Sequence, residues 1–197
     1  LGIFMPKSSL HRIAKTMKVD WYSIVCCSEP YFPGRIRIAH TRKEGEKMLK
    51  NIMGKYSDFG VDLEWRPTSY GGQQSRLALI QISTKDVCLL LRVGLWKKPC
   101  DNLYRFFAAK KVRKIMMGPQ QDFQKLRAFG VTIFNNIVDI SKRNKGSLKV
   151  LVAKAFSWNL RKKETMTNWE KVNYTAEEIK YAATDAWINL LLWERDH

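Results

Sequence analysis

Asp62 and Glu64 stand two residues apart in the segment Phe59-Gly60-Val61-Asp62-Leu63-Glu64-Trp65. The segment reads as a buried strand. Side chains on a strand alternate faces, so both carboxylates point to one side while Val61, Leu63 and Trp65 point to the other. Two ionised carboxylates side by side in an apolar segment repel each other and are costly to bury unless a cation neutralises them. A hard divalent cation with oxygen ligands suits that arrangement. An Asp-x-Glu pair alone is weak evidence, because such pairs are common on solvated strands. Further candidates come from distant parts of the chain. Asp122 falls in the first turn of a helix, just after a strand, where the macrodipole alone would also favour an acid. Tyr181 and Asp185 are four apart on the last helix and project from one face. Ile179, Ala183, Ala186 and Leu190 form its other, apolar face.

The elements that must position these residues follow from local pattern. Ile36 to Ala39 reads as a first strand. Thr41-Arg42-Lys43-Glu44 is a capping box that opens a helix running to Lys55. The carboxylate strand spans 58–65, and Arg66 to Gln74 is a turn. Arg76 to Ser83 and Asp86 to Val93 read as two strands joined into a hairpin by Thr84-Lys85. Helices then alternate with short strands: helix 102–109, strand 112–117, a helix bracketed by Pro119 and Gly130, strand 136–140 and helix 147–158. A second capping box, Thr175-Ala176-Glu177-Glu178, starts the last helix, which runs to Glu194.

At 197 residues the chain is long enough for one domain with a sizeable core. Thirty-five Lys and Arg against 18 Asp and Glu leave a formal charge of +17, which favours a polyanionic partner, nucleic acid before membrane. No apolar run is long enough for a transmembrane helix. Cys26, Cys27, Cys88 and Cys100 lack Cys-x-x-Cys spacing and read as reduced thiols of an intracellular protein. With nucleic acid as partner, the expected compartment is the nucleus. The opening Leu1-Gly2-Ile3-Phe4 lacks an initiator Met, so an excised piece of a longer protein is expected. A short basic helix is expected over Ser8 to Lys18.

In that order and in those element types, Asp62, Glu64, Asp122, Tyr181 and Asp185 resemble the pattern of the DEDDy 3′–5′ exonucleases of the ribonuclease D group. Within it the resemblance is strongest to exonuclease domains of the Werner syndrome helicase type. The motifs that carry it are Phe59 to Trp65 with Leu77-Ala78-Leu79-Ile80-Gln81-Ile82, then Asp122-Phe123-Gln124-Lys125-Leu126. Asn168-Trp169 follows, leading to Tyr181-Ala182-Ala183-Thr184-Asp185-Ala186. The resemblance makes residues 35–197 the exonuclease domain and 1–34 a basic N-terminal extension, with protein partners of that extension unknown. It implies an α/β, ribonuclease H-like fold with a mixed central β-sheet flanked by α-helices. It also implies two Mg²⁺ ions, with Mn²⁺ as a substitute. Asp62, Glu64 and Asp185 would hold the first ion, Asp62 would bridge to the second, and Asp122 would help through a bound water. Tyr181 would hold the attacking water. Two such ions, typically about 3.5–4 Å apart, stabilise both the entering and the departing oxygen of an in-line displacement. One departure is Gly118-Pro119-Gln120-Gln121-Asp122, where relatives often place Asn or a small residue before the Asp. Pro119 stiffens that turn and bears on the pose of Asp122.

The resemblance thus implies hydrolysis of DNA or RNA, single-stranded or 3′-ended, from the 3′ terminus to nucleoside 5′-monophosphates. The alternative is an inactive, nucleic-acid-binding scaffold that keeps the fold. Residues 142–163 carry eight Lys or Arg and no acid, and 97–114 carry seven against the single Asp101. Both runs are expected on phosphates, among them Lys142, Arg143, Lys145, Arg161, Lys162 and Lys163, with binding that weakens as salt rises. Trp65 and Phe123 adjoin the acids, where they either stack on terminal bases or belong to the core.

Overall fold

The computed structural model describes residues 28–67, 75–142, 146–160 and 167–197. The chain divides into two compact units, one of residues 1–30 with 145–162 and one of 31–144 with 163–197. In chain order the larger unit holds β1 (Arg35–Ala39), α1 (Arg42–Met53), β2 (Asp58–Trp65), β3 (Leu77–Ser83) and β4 (Val87–Leu91). It continues with α2 (Asp101–Ala108), β5 (Arg113–Met116), α3 (Gln120–Phe129) and β6 (Ile137–Asp139). After α4 (Leu148–Phe156) of the smaller unit, it closes with α5 (Ala176–Arg195). In the smaller unit Ser28 and Trp158 form a parallel bridge, and the Asn159 N–H donates to the Ser28 carbonyl at 2.9 Å. The strands and helices expected from position 35 onward are all present, with ends shifted by at most two residues. The helix expected over 8–18 lies outside the described residues.

Local chemistry sets the boundaries. Both capping boxes form: the Glu44 N–H donates to Thr41 Oγ1 at 3.2 Å while Thr41 N–H donates to Glu44 Oε2 at 2.9 Å, and Thr175 and Glu178 repeat the exchange. Thr84 closes the β3–β4 hairpin, its hydroxyl oxygen accepting from the Asp86 and Val87 N–H groups. Gly130 ends α3 in the left-handed conformation (φ 113°), where a side chain would be strained.

The six strands form one sheet in the order β1-β4-β3-β2-β5-β6. β3 runs antiparallel to both neighbours and the other pairings are parallel. One face carries the main core: Val61 and Leu63 of β2 join Leu49 and Ile52 of α1, Leu103, Phe106 and Phe107 of α2, and Leu126 of α3. On the other face Leu79, Cys88 and Leu90 meet Ala182 and Ala183 of α5 and Trp169. Cys88 and Cys100 are free, buried thiols. Among the described residues no helix is long and apolar enough to cross a membrane.

One expectation needs correcting. Lys114, counted among the phosphate-facing cations, is fully buried, and its Nζ donates to the carbonyls of Ala109 at 2.9 Å and Val112 at 2.8 Å. It satisfies carbonyls just beyond the end of α2 and cannot reach a phosphate. The apolar face of α5 is core as expected, with Ala183, Ala186 and Leu190 buried. Ala182 to Ala186 are all buried, so the face bearing Asp185 meets protein as well.

That packing depends on Gly60. Its strand position puts it on the face of Asp62 and Glu64, and a Cβ there would lie 1.9 Å from the Ala186 carbonyl oxygen and 2.9 Å from the Leu190 nitrogen. Both obstacles are backbone, so α5 itself would have to move. Asn189 Nδ2 donates to the Val61 carbonyl at 2.9 Å and fixes the helix at this closest approach. Gly60→Ala should therefore destabilise the domain by roughly 1–3 kcal/mol, the usual range for overpacking. In thermal denaturation that is a fall of several degrees. Gly54→Ala, at the open end of α1 with the nearest atom 3.8 Å away, should leave the midpoint almost unchanged.

Candidate active site

The strand pair and the last helix meet where the sequence places its acids. β2 carries Asp62 and Glu64 on the face toward α5, and Gly60 lets α5 come close enough for Asp185 to join them. Each of the three offers a carboxylate oxygen, and these oxygens all lie within 4.8 Å of one another. One ion bonded to three oxygens at about 2.0–2.6 Å keeps them within roughly 5 Å, so the spacing fits a single hard divalent cation. Asp185 is buried, whereas Asp62 and Glu64 keep part of their surface open at the mouth.

Asp122 approaches from α3. It is buried and close enough for its charge to act on Glu64, and that of Asp62 to act on it, but it lies outside the tight group of three. Its helix starts at Pro119 without a side-chain cap. What holds the turn is Asp139 at the end of β6, whose Oδ1 accepts from the Gly118 N–H at 3.0 Å and from the Ser141 N–H and hydroxyl. Gly118 takes a positive φ of 59°, so the stiff Gly118-Pro119 turn is built on the residue type best suited to it. Tyr181, one helical turn before Asp185, feels the charges of Asp185, Glu64 and Asp62, and its ring stacks on Trp169 with centroids 6.3 Å apart. Trp169 is in turn fixed by Tyr174, whose hydroxyl donates to its carbonyl at 2.5 Å. Arg92 donates to the carbonyls of Lys171 and Val172 and sits 4.4 Å over the Tyr174 ring, tying the segment before α5 to the end of β4.

Burial is the largest influence on Asp62, Glu64 and Asp122. It raises Asp62 above its ordinary range. It raises Glu64 well above, with the charges of Asp62, Asp185 and Asp122 adding to the effect. Asp122 is pushed up to about 8, by burial first and by Asp62 second. Tyr181 is also raised, by burial, by the charges of Asp185 and Glu64 and by its hydrogen bond to Asp185, so its hydroxyl keeps its proton at neutral pH. The buried amide of Gln81, paired across from Asp62, has no hydrogen-bond partner at either atom, and neither has the Trp169 indole N–H. That N–H nonetheless lies near enough to Glu64 to favour its ionised form. Carboxylates this close, ringed by buried polar groups without partners, fit a bound divalent cation with its waters.

Of the expected nucleic-acid contacts, Trp65 is half-buried against the main core with Lys125 Nζ 5.2 Å over its ring, and Phe123 packs on Phe134 with centroids 4.7 Å apart. Lys142 is exposed in a short 3-10 helix, Ile140–Lys142. Arg143, Lys145, Arg161, Lys162 and Lys163 lie outside the described residues.

The signature of the 3′-5′ exonuclease family matches residues 36–195, most of the chain. The chain belongs to that family. This exonuclease domain is 27% identical over 178 residues to the Mus musculus bifunctional 3′-5′ exonuclease/ATP-dependent helicase WRN, covering 83% of this chain and 13% of that protein. Its fold matches the Aedes aegypti Nibbler EXO domain with a TM-score of 0.72 and 19% identity, over 82% of this chain and 86% of that one. It also matches Escherichia coli RNase D, an exoribonuclease involved in structured RNA processing, with a TM-score of 0.71 and 16% identity, over 82% of this chain and 44% of that one. The chain spans only 13% to 39% of the lengths of the curated relatives it matches. The fold is thus the mixed, helix-flanked ribonuclease H-like sheet that the motifs imply.

Gly60, Gln81, Asp139, Trp169 and Asn189 support the site without having been assigned a part in it from sequence. Gly60 alone carried a usable signal, since a glycine inside a strand often marks close backbone approach.

The raised acids make the metal-free domain sensitive to pH. Asp122 holds its proton to about pH 8 when folded but releases it near 3.8 when unfolded, so unfolding releases protons in that window. The metal-free melting temperature should therefore fall as pH rises from about 5 to 8. Asp122→Asn should flatten that fall. Mg²⁺ or Mn²⁺ should raise the melting temperature more at pH 8 than at pH 5, because protons and metal compete for the same oxygens. Differential scanning calorimetry with and without chelator reads all three effects.

Proposed function

We propose that this domain hydrolyses nucleic acids from their 3′ ends, one nucleoside 5′-monophosphate at a time. The observation that carries the reading is the convergence of Asp62, Glu64 and Asp185 to within 4.8 Å, with Asp122 and Tyr181 beside them. Water adds to the terminal phosphorus, the bond from phosphorus to the upstream 3′ oxygen breaks, and that oxygen takes up a proton to become the new 3′ hydroxyl. Asp62, Glu64, Asp185 and Asp122 would hold two Mg²⁺ or Mn²⁺ ions, which supply stabilisation of the entering and departing oxygens when bound. Four carboxylates match two dications in charge. Tyr181 keeps its proton, so it orients the water by hydrogen bonding instead of removing a proton from it. The surplus of cations draws a polyanion toward a cluster that would otherwise repel phosphate. The same surplus favours the second reading, a binding scaffold without catalysis.

The experiment follows matched 5′-labelled DNA and RNA oligonucleotides with Mg²⁺, with Mn²⁺ and with chelator. The account predicts a ladder shortening from the 3′ end only when metal is present. Losing one metal-holding carboxylate forfeits several kcal/mol of charge stabilisation, so Asp62→Ala should reduce the rate by roughly 10³-fold. Tyr181→Phe should cost roughly 10²-fold or more while metal binding persists. Binding of either oligonucleotide with no shortening under any metal condition would establish the scaffold reading instead.

A further inference from the structure

We propose that the groove between β1 and α1 is a second nucleic-acid contact, holding backbone phosphates well away from the acidic cluster. β1 lies at the edge of the sheet. Its sequence alternates, and Ile36 and Ile38 pack toward the core on the α5 face. Arg35 and Arg37 therefore face the α1 side, where both are exposed. There, with Lys55, Asn51 and Tyr56, they wall a cavity of about 310 Å³ over an apolar floor from α1 and β4. Lys47, exposed one turn before Asn51, extends the row.

The neighbouring acids are already engaged. Glu44 closes the α1 capping box, Glu46 accepts from the Asn102 N–H at 2.9 Å, and Asp86 accepts the Tyr56 hydroxyl at 3.0 Å. Among the described residues no carboxylate forms an ion pair with Arg35, Arg37, Lys47 or Lys55. The groove's cations outnumber the one carboxylate beside them, Asp86, so they repel one another on balance, and a bound polyanion relieves that repulsion. Their layout is a row. Arg35 and Arg37 are about 6.6 Å apart along the strand, and Lys47 to Met53 covers about 9 Å of helix, with Lys55 two residues beyond its end. A row of that length suits successive phosphates of a backbone better than a single phosphate ion. Asn51 adds a polar group for the sugar–phosphate edge.

The groove is separate from the cleavage centre. β1 and β2 run in the same direction, but Arg35 begins β1 whereas Asp62 and Glu64 lie in the later half of β2. Three strand spacings, about 14 Å, also separate the two strands across the sheet. One nucleotide cannot touch both places, so the groove would grip a long substrate upstream of its 3′ end. Its preference for nucleic acid rests on the function proposed above; its affinity for a polyanion does not.

The test compares wild type with Arg35→Gln/Arg37→Gln/Lys55→Gln, and with Arg37→Gln alone in case the triple variant unfolds. Fluorescence anisotropy with a single-stranded oligonucleotide of about 30 nucleotides, in chelator and over a range of salt, should show about tenfold weaker binding by the triple variant. Its salt slope should be shallower by about 2, at about 0.7 per lost phosphate contact. The single variant should change both in the same direction by less. Cleavage of a substrate of about four nucleotides, too short to reach the groove, should be unchanged. Equal affinity and equal slope in wild type and both variants would overturn the proposal. So would lost sedimentation with phosphatidylserine vesicles alongside unchanged oligonucleotide binding, which would make the groove a lipid headgroup site. If the wild type cleaves nothing, the proposed activity fails, while the anisotropy measurement still decides for or against the groove.

Discussion

The distance between β2 and the last helix governs what this domain can do. At Gly60 the missing side chain lets the backbone of α5 lie where a Cβ would sit 1.9 Å from the Ala186 carbonyl, and Asn189 clamps it there. That approach brings Asp185 to Asp62 and Glu64 across more than a hundred residues of chain. Packing on both faces of the sheet, with Ala182 and Ala183 small enough to sit flat, supplies the favourable free energy that holds the arrangement. The carboxylates themselves oppose it, since burial and mutual repulsion raise their affinity for protons. A site strained in this way is stabilised by whatever brings positive charge to it.

Two charge distributions of opposite sense are superposed. The whole chain carries a formal +17, yet its cleft concentrates acids that would turn phosphate away. On the function proposed above, the cations would act over distance and raise the local concentration of a polyanion, while dications at the cluster would let phosphate approach.

Much of this was legible in the sequence, because much of it is local. The i, i+2 spacing of Asp62 and Glu64 fixes their common face once the segment is a strand, and the two capping boxes name the starts of α1 and α5 by their own side chains. What escaped was non-local. Nothing near Asp139 in sequence says that its carboxylate holds the Gly118 turn ahead of Asp122. Nothing near Lys114 says that its ammonium is buried on the Ala109 and Val112 carbonyls, so a charge count placed it on the surface. The periodicity of α5 gave its apolar core face, but not that the helix is enclosed so that Asp185 is buried too.

The central claim is that Asp62, Glu64 and Asp185 form one metal site. Crystals grown with Mn²⁺ and measured near the manganese absorption edge test it without reference to activity. The account predicts an anomalous peak bonded to oxygens of all three residues, lost in Asp185→Asn. Manganese bound elsewhere, or three carboxylates left empty in a well-ordered crystal at saturating Mn²⁺, would contradict it.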